Sequence, residues 1–426
     1  MNPISVLLLS FLGFLALRCP IAIALFLSSM AFFLIQGTDL MILPQTMIEA
    51  LNSGTFAAVS LYILVGELMN TTGITERVFN FALALMGHIR GGLGHVNVLG
   101  SMIFAGISGS STADVAGLGR VEIKAMVASG YRIEFAAAIT AASCIIGPII
   151  PPSVHMVIYG AIADVSVVSL FLGGFVPGVA MGISLMVMIY FMTLTGREKC
   201  PVEKRPPLGD IFKAFRRALF PIFAPVIIMG SLILGIGTPT ESAAIAVMYV
   251  VILGLVYREL NMKTILSALE RTVLSSVVIM FILATSRSFA WALTVERVAD
   301  SIMEGMFAFT QSKFVILLLI NIALLILGCF ETATANLVIV TPILVGVGQQ
   351  IGMDPVHMGV MVVFNLVIGI ITPPVGTALY IVSDITKLPF EKVSKETLKY
   401  LPPLLIVLIL VVYWPQFVLF IPNLFK

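Results

Sequence analysis

Two short polar stretches of the chain have the residue types that bind a cation through oxygen atoms. The first tip is Gly106-Ile-Ser-Gly-Ser-Ser-Thr-Ala-Asp114, and the second tip is Gly328-Cys-Phe-Glu-Thr-Ala-Thr-Ala-Asn336. Glycine lets the backbone turn, and Ser and Thr hydroxyls compete with the backbone for hydrogen bonds. Such a turn frees carbonyl oxygens for a hard cation such as Na⁺ and directs N–H groups at a helix start towards an anion. The two tips are therefore candidates for binding a cation and an anion together.

Each tip is followed at a fixed distance by a proline motif. The first break is Gly147-Pro-Ile-Ile-Pro-Pro-Ser153, and the second break is Gly369-Ile-Ile-Thr-Pro-Pro-Val375. The tips are 222 positions apart (328 − 106), and so are the breaks (369 − 147). Proline removes a helical hydrogen bond and so frees the carbonyl one turn earlier. A kink or a close helix contact explains one such motif equally well, but the repetition favours two copies of one ion-binding design.

The composition indicates a membrane protein. Of the 426 residues, 59% are hydrophobic and only 11% are charged, whereas a soluble domain has about 25% charged residues. The four cysteines have no metal-binding spacing, so we expect free thiols. The chain contains neither the phosphate-binding G-x-x-x-x-G-K-[S/T] motif nor H-E-x-x-H. These absences give no support for ATP hydrolysis or proteolysis, so we expect a non-enzyme that is powered by an ion gradient.

The repeated motifs divide the chain into two similar halves. We predict an all-α polytopic fold with N-terminal transmembrane helices over 1–46, a first repeat over 47–195, a basic cytoplasmic linker over 196–217, linking transmembrane helices over 218–262 and a second repeat over 263–426. Each repeat is expected to contain a re-entrant helical hairpin and a proline-broken transmembrane helix. We place these at 96–128 and 136–163 in the first repeat, and at 314–352 and 356–385 in the second.

The charges that flank the two hairpins differ. Arg90 precedes the first hairpin, and Arg120, Lys124 and Arg132 lie at its end, whereas the second has only Lys313 before it and Asp354 after it. Because Lys and Arg are enriched in cytoplasmic loops, the first hairpin is expected to open to the cytoplasm and the second to the periplasm. Two similar units of opposite orientation define an inverted-topology repeat.

Five motifs carry a resemblance to a known family. They are Gly109-Ser-Ser-Thr-Ala-Asp114, Gly147–Ser153, Gly237-Thr-Pro-Thr-Glu241, Phe289-Ala-Trp291 and Ile371-Thr-Pro-Pro-Val-Gly376. With these motifs the chain resembles the large membrane subunit (M subunit) of a tripartite ATP-independent periplasmic (TRAP) transporter, over essentially its whole length. The resemblance implies membership of an ion-transporter superfamily whose transport domain moves by an elevator mechanism. It also implies Na⁺-coupled uptake of an organic-acid anion across the bacterial inner membrane.

The resemblance further implies partners and substrate classes. We expect a small TRAP membrane subunit as a separate chain, a periplasmic substrate-binding protein and the lipid bilayer, and no nucleic acid. Sialic acid is the first substrate that we expect, followed by a C4-dicarboxylate or a keto acid. Two alternatives stay open: a stand-alone Na⁺/dicarboxylate symporter or antiporter that needs no binding protein, and a non-transporting membrane component.

The site residues follow from the tips and breaks. We expect Na⁺ between each tip and its break, with the following candidate ligands: Ser108, Gly109, Ser110, Ile146, Gly147 and Ile150 in the first half, and Gly328, Glu331, Thr332, Gly369, Thr372 and Pro373 in the second. The anionic substrate is expected between the tips, near Ser110, Ser111, Ser153, His155, Glu331 and Thr377. For Ser110, Ser111 and Ser153, capping of a broken helix is an equal alternative. For Glu331 the alternative is a structural hydrogen bond, and for His155 it is a packed neutral side chain.

Two further residue pairs match between the halves. Asp114 and Asn336 are expected to brace the two tips. Glu67 and Arg287 occupy equivalent positions (287 − 67 = 220) and are expected to form an ion pair between the halves; the alternative is that Arg287 binds the substrate carboxylate.

Overall fold

The computed structural model describes residues 3–52, 54–196, 198, 200–201 and 205–425, and these residues confirm the all-α fold because they contain no strand. The first part of the chain forms α1 (Pro3–Ala16), α2 (Ile21–Gln36), α3 (Ile42–Leu51), α4 (Gly54–Thr71), α5 (Ile74–Met86), α6 (Gly92–Ser108), α7 (Ser111–Asp114), α8 (Arg120–Ala128), α9 (Ile133–Ser143), α10 (Val154–Ala163) and α11 (Val167–Leu194). A π-helical turn, Val115–Gly119, joins α7 to α8, and a 3-10 turn, Cys144–Ile146, extends α9.

The second part forms α12 (Leu208–Ile233), α13 (Pro239–Val256), α14 (Met262–Val295), α15 (Val298–Phe309), α16 (Lys313–Gly328), α17 (Ala333–Gln350), α18 (Pro355–Gly369), α19 (Thr377–Thr386), α20 (Phe390–Thr397), α21 (Leu401–Tyr413) and α22 (Pro415–Leu424). A 3-10 turn, Leu398–Tyr400, joins α20 to α21. By length and composition, six helices of the described part could cross a membrane, or seven if the bent pair α3–α4 counts as one span. The chain is a multi-pass membrane protein.

One group of helices is organised around α14, which has 34 residues and is therefore about 51 Å long. It packs against α2, α3 and α4, and α4 also packs against α13. Aromatic side chains join α2 to α14, with the ring centroids of Phe33 and Trp291 5.2 Å apart. We call α1–α4, α13 and α14 the α14 group.

A second group contains the tips and breaks. In it α6 packs against α9, α16 against α18, and α10 against α17. We call these six helices, together with α7, α8 and α19, the tip group. In each half, a hydrogen bond between buried polar side chains joins the same pair of helices. The Ser143 hydroxyl donates to Asn97 Oδ1 at 2.7 Å, and the Asn365 amide donates to Asn321 Oδ1 at 2.8 Å.

These two contacts fall at related places in the repeat, since Ser143 and Asn365 are 222 positions apart (365 − 143). Each joins the first arm of a hairpin to the first half of a broken helix. All four residues are buried, where an unpaired amide would be costly. The pairs therefore fix each hairpin arm to its broken helix.

The structure changes two of the expected boundaries. The first hairpin begins at Gly92 rather than at residue 96. The segment 196–217 is not entirely a linker, because α12 begins at Leu208. Its apolar residues Leu208, Ile211, Phe212 and Phe215 recur with helical spacing, so the basic residues beside them continue the helix. Residues 197, 199 and 202–204 of that segment lie outside the described residues.

Candidate functional site

The first tip turns at Gly109. This residue caps α6 in the left-handed conformation with φ +59°, and Ser110 is extended before α7. An added Cβ on Gly109 would lie 2.3 Å from the carbonyl oxygen of Pro152. Both the φ angle and the close backbone therefore require glycine here.

The first break lies directly against the first tip. The Val154 N–H donates to the Gly109 carbonyl at 3.3 Å, and a Cβ on Gly147 would lie 3.4 Å from the Ser110 carbonyl oxygen. Ile146 and Ile150 are buried in the same region. The structure thus brings together both parts of the expected first Na⁺ site.

The backbone oxygens of the first break are not equally free. The Ile146 carbonyl already accepts from the N–H groups of Ile149 and Ile150, each at 3.0 Å. No backbone N–H outside regular helix donates to the carbonyls of Gly147 or Ile150 among the described residues. Gly147 and Ile150 are therefore better placed than Ile146 to offer an unshared carbonyl.

The second tip and break are also in close contact. A Cβ on Gly369 would lie 2.4 Å from both the Cα and the carbonyl carbon of Gly328. The Cys329 carbonyl accepts from the N–H groups of Val375 at 3.1 Å and Gly376 at 3.3 Å. The second expected Na⁺ site is thus also assembled from neighbouring backbone segments.

Hydroxyl groups hold both ends of this second contact. Thr332 caps α17 by accepting from the Ala335 N–H at 3.3 Å. The Thr372 hydroxyl donates to the Ile368 carbonyl at 2.9 Å, and Pro373 follows it in the break. These candidate ligands therefore lie where a helix begins or ends.

The two bracing residues behave differently. The Asn336 amide donates to the Leu327 carbonyl at 3.0 Å and to the Glu331 carbonyl at 3.5 Å, so it fixes the second tip as expected. Both carboxylate oxygens of Asp114 are buried without a hydrogen-bond partner among the described residues, so its side chain does not form the expected brace. A carboxylate cannot donate to tip carbonyls as an amide does, which accounts for the difference.

A cavity of about 870 Å³ lies between the tips. Of the residues expected to contact the substrate, Ser110, Ser111, His155 and Thr377 line it. The first residues of α10, α17 and α19 (Val154, Ala333 and Thr377) also line it. Three helix N-termini, each with partial positive charge, therefore face this cavity.

The structure does not bring two of the expected substrate residues to the cavity. Ser153 is fully buried; its hydroxyl donates to the Pro148 carbonyl and accepts from the Met156 N–H at 3.2 Å. It therefore caps α10, which was its alternative role. Glu331 is half-buried and is not among the lining residues. His155 lines the cavity and joins the halves, since its Nε2 lies 3.2 Å from the Thr334 hydroxyl.

Charged residues that sequence reasoning did not assign to the site also line the cavity. They include Arg120 of α8, Glu67 of α4 and Arg271 of α14. Arg271 Nε donates to Glu67 Oε2 at 2.7 Å. The expected Glu67–Arg287 pair is therefore wrong, because Arg287 lies 16 residues, or about 24 Å, farther along α14. The sequence signal that could have identified these cavity residues is a charged side chain within an otherwise apolar segment.

Small residues form the contact between the first tip and neighbouring helices. A Cβ on Gly66 of α4 would lie 3.3 Å from Ser108, and one on Gly106 would lie 3.0 Å from the Pro225 side chain of α12. The described residues contain no group of three or more His, Cys, Asp or Glu suited to a metal ion. The tips and breaks do offer carbonyl and hydroxyl oxygens, which fit a hard ion such as Na⁺.

The comparisons with known proteins agree with this architecture. A family model described as "Tripartite ATP-independent periplasmic transporter, DctM component" matches residues 8–417. The sialic acid TRAP transporter large permease protein of Vibrio cholerae serotype O1 is 42% identical over 97% of both chains. The sialic acid TRAP transporter permease protein of Haemophilus influenzae is 38% identical over 99% of this chain and 69% of that protein. The C4-dicarboxylate TRAP transporter large permease protein of Pseudomonas aeruginosa is 39% identical over 87% of this chain and 86% of that protein.

The chain belongs to the DctM component family of tripartite ATP-independent periplasmic transporters. It is the large permease subunit of such a transporter. Membership in a tripartite system implies a small membrane subunit and a periplasmic binding protein as partners. The solved Alcanivorax borkumensis YdaH transporter shares the fold, with a TM-score of 0.63 and 15% identity over 87% of this chain and 88% of that one.

Proposed function

We propose that this subunit couples the inward movement of Na⁺ to the uptake of an organic-acid anion across the bacterial inner membrane. The observation that carries the proposal is the close backbone contact of each tip with its break, on both sides of one cavity. Na⁺ would bind at each contact, and its charge would fix the tip so that the helix N-termini are aligned to receive a carboxylate. Coupling follows because the anion site is complete only when the cations are bound.

The cavity suits a carboxylate. Arg120, the Glu67–Arg271 ion pair, three helix N-termini and several hydroxyls face a space of about 870 Å³, which accommodates a molecule as large as a nine-carbon sugar acid. Sialic acid is our first candidate, because two of the similar proteins described above are named for it. A C4-dicarboxylate or a keto acid is the next candidate.

The proposed mechanism is an elevator motion in which the tip group slides along the α14 group. The close contact of Gly66 in α4 with Ser108 in α6 supports this motion, because small residues let the backbones approach without interlocking side chains. The cavity reaches Arg120, the first residue of α8, and Arg132 lies shortly after the end of that helix. Arg132 pairs with Glu198 of the linker segment at 2.8 Å. If that basic segment is cytoplasmic, the structure corresponds to an inward-open state.

Reconstitution with each component omitted in turn tests this function. Proteoliposomes containing this chain and its small subunit should accumulate radiolabelled sialic acid only with Na⁺ and the loaded binding protein outside. Uptake by this chain alone would favour the stand-alone symporter or antiporter. If no organic acid is taken up by the complete system, the chain is a non-transporting component and the proposal fails.

A further inference from the structure

The ion pair between Glu67 and Arg271 joins the two halves of the repeat at the large cavity. Glu67 belongs to α4 in the first half and Arg271 to α14 in the second, and their side chains are 21% and 47% exposed. Arg271 also donates from Nη1 to the Ser267 hydroxyl at 2.8 Å. The guanidinium is thus held in place while part of it still faces the cavity.

The internal repeat assigns a counterpart to each member of this pair. Position 67 lies 220 positions before 287, and position 49 lies 222 positions before 271; the two spacings differ by the two residues, 52 and 53, that separate α3 from α4, whereas α14 is continuous. Arginine stands at 287 and glutamate at 49, so the charge at each position is reversed in its counterpart. The pair Glu67–Arg271 therefore maps onto a second couple of the same chemistry, Glu49 and Arg287.

The structure brings Glu49 and Arg287 to one place. Both line a cavity of about 140 Å³ together with Phe56 of α4, Ala161 of α10 and Pro342 of α17. This small cavity, like the large one, lies between the α14 group and the tip group. Because Arg287 is about 24 Å from Arg271 along α14, the two cavities lie at opposite ends of that contact.

Arg287 has an unusual environment for an arginine within an apolar helix. It is exposed, and no ion pair within 4.0 Å involves it in the described part of the chain. A charged side chain at such a position is costly and is kept where it performs a function. Its planar fork of donors matches a carboxylate in two-point geometry.

We propose that Glu49 and Arg287 form a carboxylate-capture site on the face opposite the linker, the counterpart of Glu67 and Arg271. Arg287 receives the carboxylate of the arriving anion when the tip group moves and the small cavity widens. When the anion has left, Glu49 pairs with Arg287, as Glu67 pairs with Arg271 in this structure. The inference rests on the proposed function, since it assigns where the same anion enters.

Sided transport assays test this proposal. The probe is radiolabelled sialic acid, supplied outside on the binding protein for uptake, or free inside for efflux. Arg287→Gln should raise the concentration of loaded binding protein that gives half-maximal uptake by about tenfold or more, from the loss of a charge-assisted hydrogen bond. Arg18→Gln, at an exposed arginine that lines neither cavity, is the matched control and should leave this value near that of the wild type. Arg271→Gln should raise the half-saturating internal concentration for efflux.

Further variants keep the test decisive if Arg287→Gln does not assemble. Arg287→Lys keeps the positive charge and should show a smaller rise, and the exchange Glu49→Arg with Arg287→Glu should restore much of the affinity. An unchanged half-saturating concentration in Arg287→Gln would overturn the proposal, and so would a tenfold or larger rise in both Arg287→Lys and the exchanged variant. So would a lower maximal rate alone, which would assign Arg287 to the conformational change. Absence of uptake by the wild-type protein would instead refute the proposed function itself.

Discussion

Substitution of Gly109 by alanine tests whether the first tip and the first break form one cation site. An alanine Cβ would lie 2.3 Å from the Pro152 carbonyl oxygen, whereas ordinary contacts begin at 3.4 Å. The backbone of the tip or the break must therefore move by roughly 1 Å. This movement separates the Ser108–Ser110 oxygens from Gly147, so the geometry for Na⁺ is lost.

The free-energy cost of Gly109→Ala has two parts, and a control variant separates them. The left-handed conformation costs an alanine about 1–2 kcal/mol, and the forced contact adds about 1–3 kcal/mol. Gly37 also caps a helix in the left-handed conformation, with φ +70°, but an added Cβ there meets nothing within 4 Å. Gly37→Ala therefore measures only the cost of the left-handed conformation.

The assay is the Na⁺ dependence of uptake into proteoliposomes at a fixed amount of assembled protein. The difference of about 1–3 kcal/mol predicts that Gly109→Ala needs about 5- to 150-fold more Na⁺ than Gly37→Ala for half-maximal uptake. Equal Na⁺ dependence in the two variants would refute the reasoning, because the tip would then not contribute to the ion site.

Three further predictions concern the second tip and the helix cap. Gly369→Ala forces a Cβ to within 2.4 Å of Gly328 and should raise the Na⁺ requirement, whereas Gly305→Ala, with nothing within 4 Å of its Cβ, should leave it unchanged in the same uptake assay. Asn336→Ala removes the brace of the second tip, at about 0.5–1.5 kcal/mol for each hydrogen bond lost; Na⁺ should then protect the protein less against thermal unfolding, and undiminished protection would contradict the brace. Ser153→Ala should cost about 0.5–2 kcal/mol of stability as a lost helix cap and leave the half-saturating substrate concentration unchanged; a large rise in that concentration would restore Ser153 to the substrate site.

The sequence predicted the all-α fold and the approximate positions of the tips and breaks, because glycine and proline alter the local backbone wherever they occur. It also placed Ser110, Ser111, His155 and Thr377 together. The start of α12 at Leu208 was missed, because its charged face resembled a linker when the residues were read only by composition. A helical reading of the same residues would have found it.

The partners of buried polar groups could not be predicted in the same way. The Glu67–Arg271 pair and the Asn321–Asn365 contact join segments that are 204 and 44 positions apart in the chain, and only the packing of the helices decides which residues meet. Ser153 illustrates the same limit: its type suited both a cap and a ligand, and burial decided for the cap. The repeat offset located equivalent residues but did not identify their contacts.

The dependence of uptake on the Na⁺ gradient tests the central claim most directly. Proteoliposomes containing this chain and its small subunit, with the loaded binding protein outside, are compared under an inward Na⁺ gradient, equal Na⁺ on both sides, and K⁺ in place of Na⁺. We predict accumulation of the organic acid above its external concentration only under the inward Na⁺ gradient. Equal accumulation with K⁺, or in the absence of any Na⁺ gradient, would contradict the assignment of the two tips as the sites that couple Na⁺ to transport.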